Sequence, residues 1–247
     1  VMAPRVAGLT DVGAVRAANQ DAIDWQVSDD NRQVLLVVAD GMGGYQGGEI
    51  ASQIAVDTVM GSLAGHLVPG TGADEPQDAM QAAINLANER IQERRATDTE
   101  LSKMGTTLVI AWIIDGEAYI AHLGDSRCYL VHERELQCLT RDDTVVQNML
   151  EDGSIQPDDV PHVPFRNVLT RALGASSALA SFTRLALEQG DSLLLCSDGL
   201  TGALPEADWL PVITGHGSPE DKVRALIDTS LANEAADNVS VVLLTLD

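Results

Sequence analysis

Four Asp-Gly pairs lie at 40/41, 115/116, 152/153 and 198/199, and their flanks set two of them apart. Asp40 and Asp198 each close an apolar run, VLLVVAD in one case and SLLLCSD in the other. Carboxylates at the ends of neighbouring strands repel by roughly 4 kcal/mol at about 4 Å and an effective dielectric of about 20, so such a pair calls for a cation or a raised pKa. Asp237, in EAADNVSVVLL just before the last apolar run, reads by itself as a turn residue. Taken with the other two, it makes three acids at the mouths of three strands. Hard oxygen ligands of this kind suit Mg²⁺ or Mn²⁺, which combine carboxylates, a backbone carbonyl and waters in an octahedral shell. The remaining pairs are structural: Asp115-Gly116 lies between TTLVIAWII and EAYIAHL as a hairpin turn, and Gly153 caps a helix-like segment.

Other chemistries are excluded by spacing. The five His, at 66, 122, 132, 162 and 216, form no HExxH pair. After Asp40 come five glycines in eight residues, at 41, 43, 44, 47 and 48, but neither P-loop nor GxGxxG spacing is met, since Gln46 occupies the third glycine position. GDSRC (124–128) lacks the final glycine of a nucleophile elbow.

The elements that would position these acids follow from periodicity. Helical spacing appears at 46–64 (Ile50, Ile54, Val59, Leu63) and at 77–95 (Met80, Ile84, Ala87, Ile91), joined through VPGTGADEP at 68–76. Further helices are predicted at 205–214 and 219–233, the latter with Val223, Leu226, Ile227 and Leu231 on one face. Strand signals occur at 22–28, 33–39, 107–114, 117–123, 127–131, 135–139, 181–187, 192–196 and 239–246. Short connections between strands imply antiparallel hairpins, and the grouping predicts two antiparallel sheets with helices outside.

Composition narrows the setting. The chain has 247 residues, 45% hydrophobic and 21% charged, as expected for one globular domain. The 37 acidic against 15 basic residues give a net charge of −22, which disfavours nucleic acid and anionic membrane surfaces and favours bound cations. No apolar run reaches 18 residues and the first residues lack a signal-peptide layout, so a soluble cytoplasmic protein is expected. Cys128, Cys138 and Cys196 have no CxxC spacing and read as reduced, buried thiols.

Seven segments, in order, carry a resemblance: DVGAVRAANQD (11–21), VVADGMGG (37–44), GTTLV (105–109), HLGDSRCYL (122–130), RNVLTRALG (166–174), LLLCSDGL (193–200) and ADNVSVVLL (236–244). Together they resemble the metal-dependent protein phosphatase family (PPM, the type 2C class) in its compact bacterial form. The resemblance implies an α+β fold, a four-layer α-β-β-α sandwich of two antiparallel sheets flanked by helices. It implies a single domain over 1–247 with a flap around 143–165, and a site for Mn²⁺ or Mg²⁺, two ions per chain. Carried over by position, Asp40 bridges both ions and the Gly41 carbonyl binds one. Asp198 and Asp237 hold the other ion, and Asp21 acts through ion-bound water. Asp125, together with Asp198, matches the site of a third, weaker ion often bound by bacterial relatives. Arg16 matches the family's phosphate-binding arginine; in isolation it reads as a surface residue.

The implied activity is hydrolysis of phosphoserine and phosphothreonine by a water bridging two divalent ions, with Arg16 and Asp40 central to catalysis. Four positive charges would then balance Asp21, Asp40, Asp198 and Asp237. The implied partners are phosphorylated Ser/Thr proteins, including a cognate bacterial kinase or its targets, met by a monomer. A noncatalytic phosphoprotein-binding module on the same fold would lack a metal carboxylate, and none is missing. Two positions depart from the family pattern. Met42 stands where eukaryotic members commonly place a proton-donating His and bacterial members often have Met, which leaves the general acid unassigned, an ion-bound water being one candidate. Asp142-Asp143-Thr144 replaces the usual Asp-His-Ser at the entry to the flap, a stretch completed by SIQPDDVPHVPF (154–165).

Overall fold

The structure is a computed structural model that describes residues 3–44, 46–69 and 74–247. Part of the connection read at 68–76, and Tyr45 in the glycine-rich stretch, lie outside the described residues. In chain order the elements are β1 (Pro4–Asp11), β2 (Asp21–Val27), β3 (Gln33–Met42), α1 (Gly47–Leu63), α2 (Pro76–Thr97), β4 (Gly105–Thr106), β5 (Leu108–Ile114), β6 (Glu117–Leu123), β7 (Arg127–His132) and β8 (Glu135–Cys138). There follow α3 (Val145–Glu151), β9 (Ser181–Ala186), β10 (Ser192–Cys196), α4 (Asp198–Ala203), α5 (Trp209–Thr214), α6 (Pro219–Ala232) and β11 (Val239–Leu246).

The strands form two antiparallel sheets. One has the order β1-β11-β10-β7-β8; the other runs β2-β3-β5-β6-β9, with β4 added against the end of β3. Three apolar layers hold them together. Val34, Leu36, Val38, Leu193, Leu195 and Leu244 belong to the layer shared by the two sheets. Alternate residues of β3 and β5 face outward onto α1 and α2, while alternate residues of β10 and β11 pack against α4, α5 and α6. Burial on both faces explains why β3, β5, β10 and β11 read as continuous apolar runs. The result is the expected α-β-β-α sandwich.

Several local expectations are met. Asp115 (φ 50°) and Gly116 (φ 81°) form the β5–β6 turn with both residues left-handed, the two-residue hairpin geometry that Asp-Gly favours. Gly153 has φ 81° just past α3. Other expectations are corrected. Cys128 and Cys196 are buried free thiols, whereas Cys138 is exposed, as the last residue of the edge strand β8. β1 was absent from the expected strands; it contains Gly8, where a Cβ would lie 2.5 Å from the Trp25 ring. The inner face of α1 is made by Ala51, Ala55, Val56 and Val59, with Ile50 and Ile54 only partly buried, so small side chains bring that helix close to its sheet. The segment 205–214 is a short 3-10 turn followed by α5 rather than one helix, and α4 was not expected.

The strand ends nearest one another are brought together by close backbone crossings. A Cβ on Gly41 would lie 1.8 Å from the Gly48 carbonyl oxygen, and one on Gly199 would lie 1.9 Å from the Asn238 carbonyl oxygen. Gly202, in the same helix as Gly199, has open space around it. Gly199→Ala should therefore destabilise by about 1–3 kcal/mol or more through forced backbone displacement, while Gly202→Ala should be neutral or stabilising by up to about 1 kcal/mol. Urea denaturation of the two variants checks this; equal effects would contradict the crossing's tightness.

Candidate active site

Asp21 opens β2 and Asp40 lies near the end of β3, directly opposite it in the antiparallel register. Opposed residues share a face, so the two carboxyls are neighbours. Asp198, the first residue of α4, reaches the same place from the end of β10 in the other sheet. The carboxyls of Asp21, Asp40 and Asp198 stand within hydrogen-bonding reach in a chain with Asp40 in the middle. Asp125 lies close enough to repel both Asp40 and Asp198, at the crossover from β6 to β7. These acids, except Asp21 beneath them, line a cavity of about 470 Å³ with Arg16, Gly41, Met42, Thr107, Asn167 and Asp237.

Neutral groups from both sheets fix the acids. The Ser240 hydroxyl donates to Asp21 Oδ2 at 2.6 Å and lies 2.6 Å from the Thr10 hydroxyl. The Asp40 N–H donates to Thr107 Oγ1 at 3.0 Å, and Thr107 pairs with the Ser126 hydroxyl at 2.8 Å, joining the Asp40 strand to the GDSR turn. Asn238 fastens the loop that carries Arg16: its amide donates to the Val12 and Ala18 carbonyls at 2.8 and 3.0 Å and accepts from the Gln20 N–H at 2.9 Å. Sequence reasoning missed Thr107, Asn238 and Ser240. Each sits inside a segment that was singled out, but an uncharged side chain there carries no distinguishing signal of its own.

The electrostatics follow first from burial and then from mutual repulsion, which Arg16 beside Asp198 and Arg127 beside Asp125 offset only in small part. Asp40 is pushed well above the ordinary carboxyl range, first by burial and then by Asp21 and Asp198. Burial likewise raises Asp198, although its contact with Asp40 opposes the shift. Asp21 is raised to about 6 by burial, against the bond from Ser240, and Asp125 to about 8 by burial and then by Asp198.

The donor set fits a hard divalent cation. Oδ1 of Asp21 and Oδ1 of Asp198 are buried without a hydrogen-bond partner among the described residues. Among the described residues no thiolate or imidazole lines the cavity. Among the described residues no three His, Cys, Asp or Glu side chains already enclose one point. Mg²⁺ and Mn²⁺ do not require such a cage, because waters and backbone carbonyls complete their shells.

Not every expected residue joins the buried chain. Asp237 stays at the rim, where Arg16 Nε lies 3.4 Å from its Oδ1, and the Arg16 side chain is 57% exposed. Gly41 remains within β3, which continues to Met42, three residues past the expected strand end; the bend follows at Gly43, with φ 121°. Asp142 and Asp143, at the start of the expected flap, are anchored. Arg127 grips Asp142 through two bonds of 2.8 and 2.7 Å, and buried Asp143 accepts the Gly124 N–H at 3.0 Å.

A pH dependence follows for the protein freed of divalent ions. From the ordinary carboxyl value of about 4 up to about 6 for Asp21 and about 8 for Asp125, the folded state holds protons that the unfolded chain has released. Stability then falls as pH rises through that window. Melting temperatures in EDTA should decline across it, and added Mn²⁺ should restore more stability at its upper end, with proton release. A flat profile, or an Mn²⁺ effect independent of pH, would contradict the buried acids' role.

Comparison with known proteins places this geometry. Residues 14–234 match the protein phosphatase 2C family. The serine/threonine phosphatase stp of Listeria monocytogenes serotype 4b (strain F2365) is 34% identical over 239 residues, 96% of this chain and 94% of that protein. The S. agalactiae serine/threonine phosphatase superposes with a TM-score of 0.90 at 31% identity, covering 99% of this chain and 100% of that one. The catalytic domain of the phosphatase PstP, solved in complex with two manganese ions, gives a TM-score of 0.87 at 30% identity, over 100% of this chain and 99% of that one. With a matching family domain, near full-length relatives and the same sandwich, the chain belongs to the protein phosphatase 2C family.

Proposed function

We propose that this protein removes phosphate from phosphoserine and phosphothreonine in proteins, reversing a Ser/Thr kinase, in a cavity that takes two Mn²⁺ or Mg²⁺ ions and a weaker third. The observation that carries this reading is the buried chain Asp21–Asp40–Asp198, with orphaned oxygens, on the floor of a cavity whose rim bears an arginine. In this reading residues 1–247 form one domain with a flap at 143–165, which acts as a cytoplasmic monomer. Among the described residues no helix is long and apolar enough to cross a membrane.

Asp40 would bridge the two ions, with the Gly41 carbonyl on one and Asp198 and Asp237 on the other. Asp21 would orient the inner shell from beneath, and Asp125 with Asp198 would hold the third ion. Bound there, the divalent ions supply an activated water and polarise the phosphoryl oxygens. Every other task falls to the chain. Arg16 presents a planar guanidinium fork for two phosphate oxygens, and its exposed contact with Asp237 can yield to a dianion. Ser240 and Thr107 hold Asp21 and Asp40 in place as charge accumulates above them. Met42 lines the cavity without a titratable group, so proton delivery to the leaving oxygen is not assigned to a side chain there.

Hydrolysis of p-nitrophenyl phosphate should require Mn²⁺ and stop in EDTA. Asp40→Asn should lower kcat by at least about 100-fold, given that even outer-shell changes around metals cost about 10–100-fold. Arg16→Lys should raise KM, since an ammonium cannot reproduce the bidentate fork. Equal rates with and without EDTA, or full activity in Asp40→Asn, would contradict the reading.

A further inference from the structure

A second groove of about 700 Å³ adjoins the candidate active site, and the two are continuous, because Met42, Asn167 and Leu169 line both. Its long wall is the irregular segment 167–179, which is fixed along its length. The Val145 N–H donates to the Val168 carbonyl at 3.0 Å, the Thr170 N–H to the Asp143 carbonyl at 2.9 Å, and Leu173 exchanges backbone bonds with Thr106 at 2.8 and 3.2 Å. One face of α2 pins the far end. Asn88 donates to the Ala175 carbonyl at 3.0 Å and accepts from the Gly174 N–H at 2.7 Å; Gln92 donates to the Ala175 carbonyl at 2.7 Å; Gln81 donates to the Ala178 carbonyl at 2.9 Å and accepts from the Ala180 N–H at 3.1 Å. A wall held in this way offers a set surface to a ligand without further ordering cost.

Two properties of that wall indicate what it receives. Val168 and Leu179 line it and are 48% and 64% exposed, two of the four large hydrophobic side chains exposed among the described residues. Arg171 also lines it, is exposed, and has no ion pair among the described residues. Among the described residues six of the thirteen arginines are ion-paired and Arg171 is one of the seven that are not; what sets it apart is its place on the groove wall, between Val168 and Leu179 in sequence, in a chain of net charge −22. We propose that this groove seats the substrate polypeptide next to its phosphoresidue, with Arg171 pairing with an acidic side chain and Val168 and Leu179 covering an apolar one. The proposal rests on the phosphatase reading and adds to it a sequence preference. An extended chain advances about 3.3 Å per residue, so a groove that begins at the shared wall reads positions within a few residues of the phosphate.

The test uses two phosphothreonine peptides that differ only in Glu or Lys near the phosphoresidue, together with p-nitrophenyl phosphate, which has no flanking chain. The unaltered protein should favour the Glu peptide. Arg171→Glu should lower kcat/KM for that peptide about fivefold, mainly through KM, and improve the Lys peptide. The difference should shrink at high salt, and Arg171→Lys should retain the preference. Aryl phosphate hydrolysis should be the same in all three proteins. Equal effects of Arg171→Glu on both peptides, or a parallel fall with aryl phosphate, would overturn the groove assignment. A changed oligomeric state with unchanged peptide preference would overturn it too, and would give the face to a second copy of the chain. If the unaltered protein with Mn²⁺ hydrolyses none of the three substrates, the phosphatase reading itself fails; aryl phosphate turnover without peptide preference confines the failure to the groove.

Discussion

Asp21 and Asp40 face each other across adjacent strands, and Asp198 meets them from the opposite sheet, all three largely withdrawn from water. Withdrawing a single carboxylate from water costs several kcal/mol, and side by side the charges also repel. Among the described residues no cationic side chain is ion-paired with them; Arg16 stays at the rim against Asp237 and offsets Asp198 only in small part. Left to itself, the cluster keeps protons that ordinary carboxyls would lose. Divalent cations would release those protons and turn the repulsion into attraction, so the same feature that weakens the free protein makes it receptive to metal.

Holding such a cluster together requires a frame that does not depend on the charges. The frame is neutral: hydroxyls of Thr10, Thr107, Ser126 and Ser240, the amide of Asn238, and backbone crossings at Gly41 and Gly199. Ser240 belongs to one sheet and Asp21 to the other, so their bond ties the two sheets at the site itself. Ser240 orients the Asp21 carboxyl by donating to it, Thr107 and Asn238 hold the backbone around the site, and none of them cancels a charge, which leaves the charges available to cations. The apolar layers of the sandwich then supply the rigidity that keeps the strand ends at fixed separation.

Much of this was legible in the sequence because local and tertiary preferences agree there. β6, β10 and β11 begin and end where the apolar pattern does, and the buried face of α2 is the one its spacing indicates. Asp40 and Asp198 stood out because an apolar run ends on each. What was hidden depends on distant neighbours. β1 is an edge strand whose Gly8 answers to the Trp25 ring, and the alanine face of α1 answers to the closeness of its sheet. Asp21 and Asp125 carried no signal by themselves, and only the order of surrounding segments singled them out. The ion pair of Arg16 with Asp237 joins residues far apart in the chain, so spacing could not show it.

The central claim is that the strand-end carboxyls exist to hold divalent ions. Diffraction from crystals of the protein grown with Mn²⁺, recorded at the manganese absorption edge, locates those ions directly. The account predicts strong anomalous peaks in the cavity floored by Asp40, the strongest of them shared by its carboxylate, with Asp198 coordinated as well. Manganese bound only elsewhere on this acidic surface, with Asp21, Asp40 and Asp198 still paired among themselves, would contradict it.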